Sequence, residues 1–358
     1  MQAMTEKLQK TASELLRSGK ASVILGFMPG ELKYQSIPFA ANTEELASRL
    51  IFDRFSFKVL SKYLIEDYFQ DRFLNNEKVG IVLKGCDLRA LNLLVSEKRI
   101  PRDQLYLIGV QCPGMIHLDK LAKQLGYDPI ESELEFTADK IMDLKNNQEI
   151  PYQKVISPFC RSCNYDLMDD KNPKTLEDDR QKEKHEQELT SLELDCLIEL
   201  DDEIREYVTN TRPDDSELKQ TVQDIESLSS KEKFEFWKKH LNNCRRCYSC
   251  KNACPVCTCI TCLFDQETPM YLDKATDQLA QHQFYHLIRA FHAADRCVGC
   301  GECERVCPEK IPLHLLHQKL VQDIEKLYGP YQPGIDKAPT PLSYASPEDP
   351  DPFEKEGQ

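Results

Sequence analysis

The sequence has no apolar run long enough to cross a bilayer, and no apolar leader ending in small residues. Its opening, MQAMTEKLQKTASELLRSGK, reads as a polar amphipathic helix. Basic charge is also short. With 46 Lys and Arg against 60 Asp and Glu the formal charge is -14, which disfavours nucleic acid, because a polyphosphate needs a basic face. No Ser/His/Asp or paired-carboxylate arrangement stands out, and the eight histidines are not grouped at metal-ligand spacing. His282 and His286 lie four apart without a nearby acid and read as surface or packing residues. These absences give no support to hydrolytic or acid/base chemistry and lead us to expect a cytoplasmic protein with no membrane span and no nucleic-acid partner. At 358 residues and 41% hydrophobic content, the chain can build two modest domains.

Cysteine is what the chain has in abundance. In a reducing compartment, 16 cysteines with many C-x-x-C steps argue for metal rather than disulfides. Cys244, Cys247, Cys250 and Cys254 precede Pro255, and Cys297, Cys300, Cys303 and Cys307 precede Pro308 in the same spacing. This is the bacterial ferredoxin run, in which three close cysteines wrap one four-iron cluster and the fourth crosses to the other. Crossed ligation places Cys244, Cys247, Cys250 and Cys307 on one [4Fe-4S] cluster and Cys254, Cys297, Cys300 and Cys303 on a second. Gly299 and Gly301 would permit the tight wrap. Structural zinc also uses C-x-x-C pairs, but two matching four-cysteine runs each ending in C-P are not its pattern. Arg245, Arg246, Lys251, Arg296, Arg305 and Lys310 crowd these motifs, either offsetting anionic clusters or as solvated surface charges. Cys257, Cys259 and Cys262 continue past the first run. They are either packing residues or, completed by Cys196, ligands of a further cluster.

Composition changes along the chain. Residues 1–165 read as an α/β domain with a parallel sheet: a helix to about Ser18, the strand ASVILGF, helices around 44 to 64, then a strand running into a helix through KGCDLRA. A second strand, QLYLIGVQC, completes a βαβ unit. Cys86 and Cys112 then fall at strand carboxyl ends, where open α/β sheets build sites. With the pair Cys160 and Cys163 they make four thiolates, enough for a third cluster. Residues 166–235 read as an acidic linker leading into helices, with Leu194, Leu197, Ile198, Ile204 and Val208 as one apolar face. Residues 236–328 form a mainly α-helical dicluster ferredoxin domain. One of its helices carries Phe284, Leu287, Ile288 and Phe291, and another Leu313, Leu316, Leu320, Ile324 and Leu327. The Pro-rich, acidic tail 329–358 is expected to be disordered or draped over a partner.

Three stretches carry a resemblance: KVGIVLKGCDLRALNLLVSEKRIPRDQLYLIGVQCPGMI, RCYSCKNACPVCTCITC and HLIRAFHAADRCVGCGECERVCPEKIPL. They resemble the beta-subunit family of coenzyme F420 hydrogenases and formate dehydrogenases, in the branch with a carboxyl-terminal dicluster segment. That branch is associated with formate dehydrogenase or heterodisulfide-reductase-like complexes. The likeness covers most of residues 20–328, apart from the acidic linker. It implies an electron-transfer subunit of a multi-subunit anaerobic oxidoreductase, relaying single electrons between an acceptor and a formate dehydrogenase, hydrogenase or heterodisulfide-reductase-like flavoprotein. Members often carry a flavin in the domain equivalent to residues 1–165. The alternative it implies is therefore a self-contained flavoenzyme using FAD to exchange hydride with F420 or a nicotinamide. This chain has no G-x-G-x-x-G fingerprint, and its first strand-to-helix turn holds Cys86.

Overall fold

The structure is a computed structural model that describes residues 1–161, 163, 193–211, 216–273, 278–336 and 339–345. The acidic stretch from 164 to 192 and the end of the tail, 346–358, lie outside the described residues. The chain forms two compact units. The first lies within Met1–Leu88, Lys98–Asn172 and Leu192–Ser216, and the second takes in Arg89–Glu97 and Glu217–Gln358.

The first unit is built on a five-stranded sheet in the order β2-β1-β3-β4-β8. β1 (Val23–Pro29) pairs antiparallel with β2 (Ser36–Ala41) and parallel with β3 (Val79–Leu83). β3 runs parallel to β4 (Leu105–Val110), matching Val79 to Leu105 and Leu83 to Gly109. All five β3 residues are buried, as expected of a strand covered on both faces. Helix Gly85–Ser96 follows β3 directly. A small antiparallel sheet, β5 (Leu134–Phe136), β6 (Lys140–Asp143) and β7 (Gln148–Pro151), adds Ile141 and Ile150 to a cluster with Phe55, Ile116, Leu121, Tyr152 and Val155.

Two segments depart from the sequence expectation. Cys196–Ile198 forms β8, parallel to β4, where a helical face from Leu194 onward is expected. The helix begins later, at Asp202, and runs to Asn210. Its predecessor is claimed by the open edge of β4, because Gln111 N–H bonds the Ile198 carbonyl and Asp195 N–H the Leu107 carbonyl. Between 44 and 64 only the turns Glu44–Ala47 and Leu60–Ile65 are helical. The segment between them is extended where Ile51 N–H bonds the Phe27 carbonyl, and it buries Leu50, Phe52, Phe55 and Val59.

The second unit packs three long helices, Ser230–Leu241, Leu279–His292 and Leu313–Tyr328, around the cysteine loops. Its core joins Leu241, Phe264, Leu272, Tyr285, Ile311 and Leu313 to Cys244, Cys250 and Cys307. Helix Ser230–Leu241 opens on a capping box made by Ser229 and Glu232. Part of the expected tail belongs to this unit. Arg89 donates to the Pro333 carbonyl at 3.0 Å, Asn92 to the Gly334 carbonyl at 2.8 Å, and Tyr331 is buried.

Candidate metal centres

Cys244, Cys247, Cys250 and Cys307 line a single cavity of about 310 Å³, its open mouth included. Tyr248, Tyr285, His286, Pro308 and Ile311 complete its wall. Cys307 therefore stands with the first run, although it closes the second in sequence. Cys254 acts electrostatically on Cys297 and Cys303, members of the second run. Among the described residues no three Cys, His, Asp or Glu side chains converge on a point as the ligands of one ion would. The thiols instead surround a space, which suits a cube that takes one thiolate per iron.

The two runs repeat their backbone as well as their spacing. Arg246 and Tyr248 in the first, Gly299 and Gly301 in the second, all have positive φ, at +48°, +59°, +68° and +71°. These positions follow Cys244 by two and four residues and Cys297 by two and four. The turn aims the amide two residues on back at the thiol. Arg246 N–H donates to Cys244 Sγ at 3.3 Å, and Gly299 N–H is directed at Cys297. Such inward amides stabilise sulfur charge in four-iron sites. Burial pushes the Cys244 thiol up to about 11 and raises Cys250, Cys297 and Cys303. A bound cluster must therefore supply the charge that deprotonates them.

In the first unit, Cys86, Cys112, Cys160 and Cys163 are also brought together. Cys86 lies in the first turn of helix Gly85–Ser96, beyond β3, and Cys112 follows the neighbouring strand β4. Residues 115–117 then pair with 155–157. His117 N–H bonds the Val155 carbonyl, Ser157 N–H bonds the Met115 carbonyl, and Ile116 bridges Ile156. That pairing carries Cys160 to Cys112. Cys86 is acted on by Cys163 and Cys112, Cys112 by Cys160 and Cys163, and Cys160 by Cys163. Gly114 has φ +91° and directs its N–H at Cys112, the same cysteine-plus-two turn as in the two ferredoxin runs. A Cβ at Gly114 would lie 2.6 Å from Ile156 Cδ1 and 3.5 Å from Cys160 Cβ. Desolvation pushes Cys160 up to about 12 and raises Cys86 and Cys112.

The structure gives several of the charges around the second unit's cysteines acidic partners, and Lys251 is also acted on by the Cys262 thiol. Arg245 pairs with Glu309, Lys251 with Asp265, Arg296 bidentately with Glu97 at 2.7 and 2.6 Å, and Arg305 with Glu302 at 2.7 Å. Arg246 is spent on the Asp273 carbonyl and Gln281. The cation buried among the thiols is Arg289, which the sequence reading passed over. Of the two readings of His282 and His286, surface or packing, the structure bears out packing. Both are buried, and His286 Nε2 lies 3.2 Å from Cys244 Sγ. Burial and Arg289 lower the His286 pKa to about 3, so the ring is neutral and its N–H can donate to sulfur. Helix Leu279–His292 thus buries a stripe of His282, Tyr285, His286 and Arg289, leaving the expected Leu287 and Phe291 44% and 55% exposed. Polar residues at i, i+3, i+4 and i+7 were the available signal.

Cys257, Cys259 and Cys262 lie in the second unit, Cys259 exposed and the others half-buried, and Cys196 lies in β8. No described helix is long and apolar enough to cross a membrane.

Comparison with known proteins agrees with the geometry. Residues 240–311 match the family model described as a 4Fe-4S dicluster domain. The F420-dependent formate dehydrogenase subunit beta of Methanocaldococcus jannaschii is 27% identical over 354 residues, spanning 89% of each chain. The F420-dependent formate dehydrogenase 1 subunit beta of Methanococcus maripaludis is 26% identical over 365 residues, covering 93% of this chain and 92% of its own. Among solved structures, the F420-reducing [NiFe] hydrogenase complex of Methanosarcina barkeri contains a chain with 18% identity and a TM-score of 0.34, matched over 45% of this chain and 62% of its own. The chain is thus similar over most of its length to formate dehydrogenase beta subunits, as its motifs imply, and it carries a 4Fe-4S dicluster domain.

Proposed function

We propose that this chain is the electron-transfer subunit of a multi-subunit oxidoreductase. It passes single electrons through [4Fe-4S] clusters between a catalytic partner of the formate dehydrogenase type and an acceptor. The observation that carries the reading is the cavity lined by Cys244, Cys247, Cys250 and Cys307, which gathers thiols from both ferredoxin runs. It supports crossed ligation, with Cys254, Cys297, Cys300 and Cys303 holding the second cluster. The repeated cysteine-plus-two turn supports a third cluster on Cys86, Cys112, Cys160 and Cys163. No cluster is assigned to Cys257, Cys259, Cys262 and Cys196. Bound clusters supply one-electron carriers. The chain's own contribution is to hold the thiolates, direct Arg246, Gly299 and Gly114 amides at sulfur, and shield the inner corners with Tyr285, Ile311 and Leu313.

Single serine substitutions in the anaerobically purified protein test the crossed assignment by electron paramagnetic resonance. Cys307→Ser should reproduce the defect of Cys247→Ser, sixty positions away in sequence. A Cys307→Ser spectrum matching that of Cys300→Ser would refute crossed ligation.

A further inference from the structure

Arg289 is 4% exposed, and charged side chains are rarely so buried without a partner. Its Nη2 donates to the Cys250 carbonyl at 2.8 Å, and its Nη1 lies 2.9 Å from His317 Nε2. Because a guanidinium only donates, His317 must accept there and is the neutral ring. Nε of Arg289 is buried and has no hydrogen-bond acceptor among the described residues. The groups whose ionised forms would act on it are, in order, the thiols of Cys254, Cys250 and Cys303 and the Tyr285 hydroxyl. Cys250 belongs to the first ferredoxin set, whereas Cys254 and Cys303 belong to the second.

We propose that Arg289 is a fixed cation shared by the two clusters, which sets both reduction potentials together. The inference rests on the dicluster reading above and adds the group that compensates its charge. Burying a lone guanidinium costs several kcal/mol, and thiols protonated in the metal-free chain return none of it. Thiolates around two clusters do. Reduction adds one negative charge to a cluster, and a nearby buried cation stabilises that charge more than it stabilises the oxidised form. Each cluster is therefore easier to reduce with Arg289 present, and the effect extends to both because thiols of both sets act on the guanidinium, which is anchored on the Cys250 carbonyl. His317 acts as a positioning residue. It holds Nη1 and, being neutral, adds no second charge.

The test uses the full chain, purified anaerobically, with iron analysis and redox titration followed by electron paramagnetic resonance. Arg289→Gln should keep the iron of the wild type while both dicluster midpoints move to more negative potential. A shift of about 59 mV, a tenfold fall in the reduction equilibrium, is the scale expected for losing one buried charge. Arg289→Lys, which keeps the charge, should retain iron and recover most of the shift. Full iron with both midpoints unmoved, or with only one moved, would overturn the shared-cation role. Should Arg289→Gln load no iron, Arg289→Lys decides: iron and midpoints near wild type uphold the role, and loss in both variants refutes it. A wild-type chain without the two cluster signals would instead sink the dicluster reading itself.

Discussion

At the scale of single residues, each thiol set is accompanied by a buried positive side chain. In the first unit it is Lys84, whose ammonium lies 2.7 Å from Asp87 with side-chain exposures of 3% and 0%. Lys84 also donates to the Lys58 carbonyl at 2.8 Å, sits 4.9 Å above the Phe27 ring, and acts on Cys86 and Cys112. Asp87 in turn accepts the backbone N–H groups of Leu60 and Lys84, so it fastens the start of helix Gly85–Ser96 to a neighbouring segment. Removing one member of such a pair strands the other charge in a site it cannot leave. Asp87→Asn or Lys84→Met should each lower the unfolding free energy by about 3–5 kcal/mol, measured by denaturant titration. The combined Lys84→Met/Asp87→Asn replacement should cost less than the sum of the two. An additive double variant would show that the charges do not depend on each other. The pair is readable in the motif KGCDLRA only as an i, i+3 spacing. Its burial comes from β3 being covered on both faces, which no single stretch of sequence displays.

At the scale of elements, periodicity announces a helix more reliably than it announces which face is buried. Phe284, Leu287, Ile288 and Phe291 correctly mark a helix within Leu279–His292, yet Tyr285 is fully buried and Phe291 exposed. Thiolate and cluster charge reverse the usual preference, because His286 and Arg289 are needed where sulfur is. Phe291→Ser should therefore change stability by no more than about 0.5 kcal/mol. Tyr285→Ala should cost about 3–5 kcal/mol and loosen the wall beside Cys250, whose sulfur lies 3.5 Å from the Tyr285 hydroxyl. A large loss at Phe291, seen in the same denaturation series, would mean the polar stripe is not the packed face. The same lesson explains β8. Three residues, Cys196–Ile198, leave no alternation to detect, and their strand character comes from the edge of β4. By contrast β1, β3 and β4 were legible, because covered parallel strands read as continuous apolar runs. The ferredoxin runs were legible because three of the four thiols assigned to each cluster lie close in sequence at a repeated spacing. The Arg289 cation was not, since its role depends on two sets of thiols meeting around it.

At the scale of the whole molecule the open quantity is how many clusters the chain holds. Two are proposed on the ferredoxin runs, and the third on Cys86, Cys112, Cys160 and Cys163, which three separate segments deliver to one place. Strand order accounts for Cys86 and Cys112, because β3 and β4 are parallel neighbours. The backbone pairing of 115–117 with 155–157 accounts for Cys160 just beyond it, and Cys163 follows three residues later. Desolvated thiols gathered without a metal repel as they ionise, so the metal-free arrangement holds its protons. Loading iron must then release protons from this set as well as from the ferredoxin sets. At about four irons per cluster, the anaerobically reconstituted full chain should bind about twelve irons. Cys86→Ala should reduce this to about eight while leaving the dicluster resonances unchanged. Fewer protons should also be released on loading, which pH-stat titration measures independently of any electron-transfer assay. A wild-type chain with about eight irons and one flavin would defeat the third cluster and point to hydride exchange in the first unit. A chain with eight irons, no flavin and unchanged loading in Cys86→Ala would leave these four thiols a structural role alone.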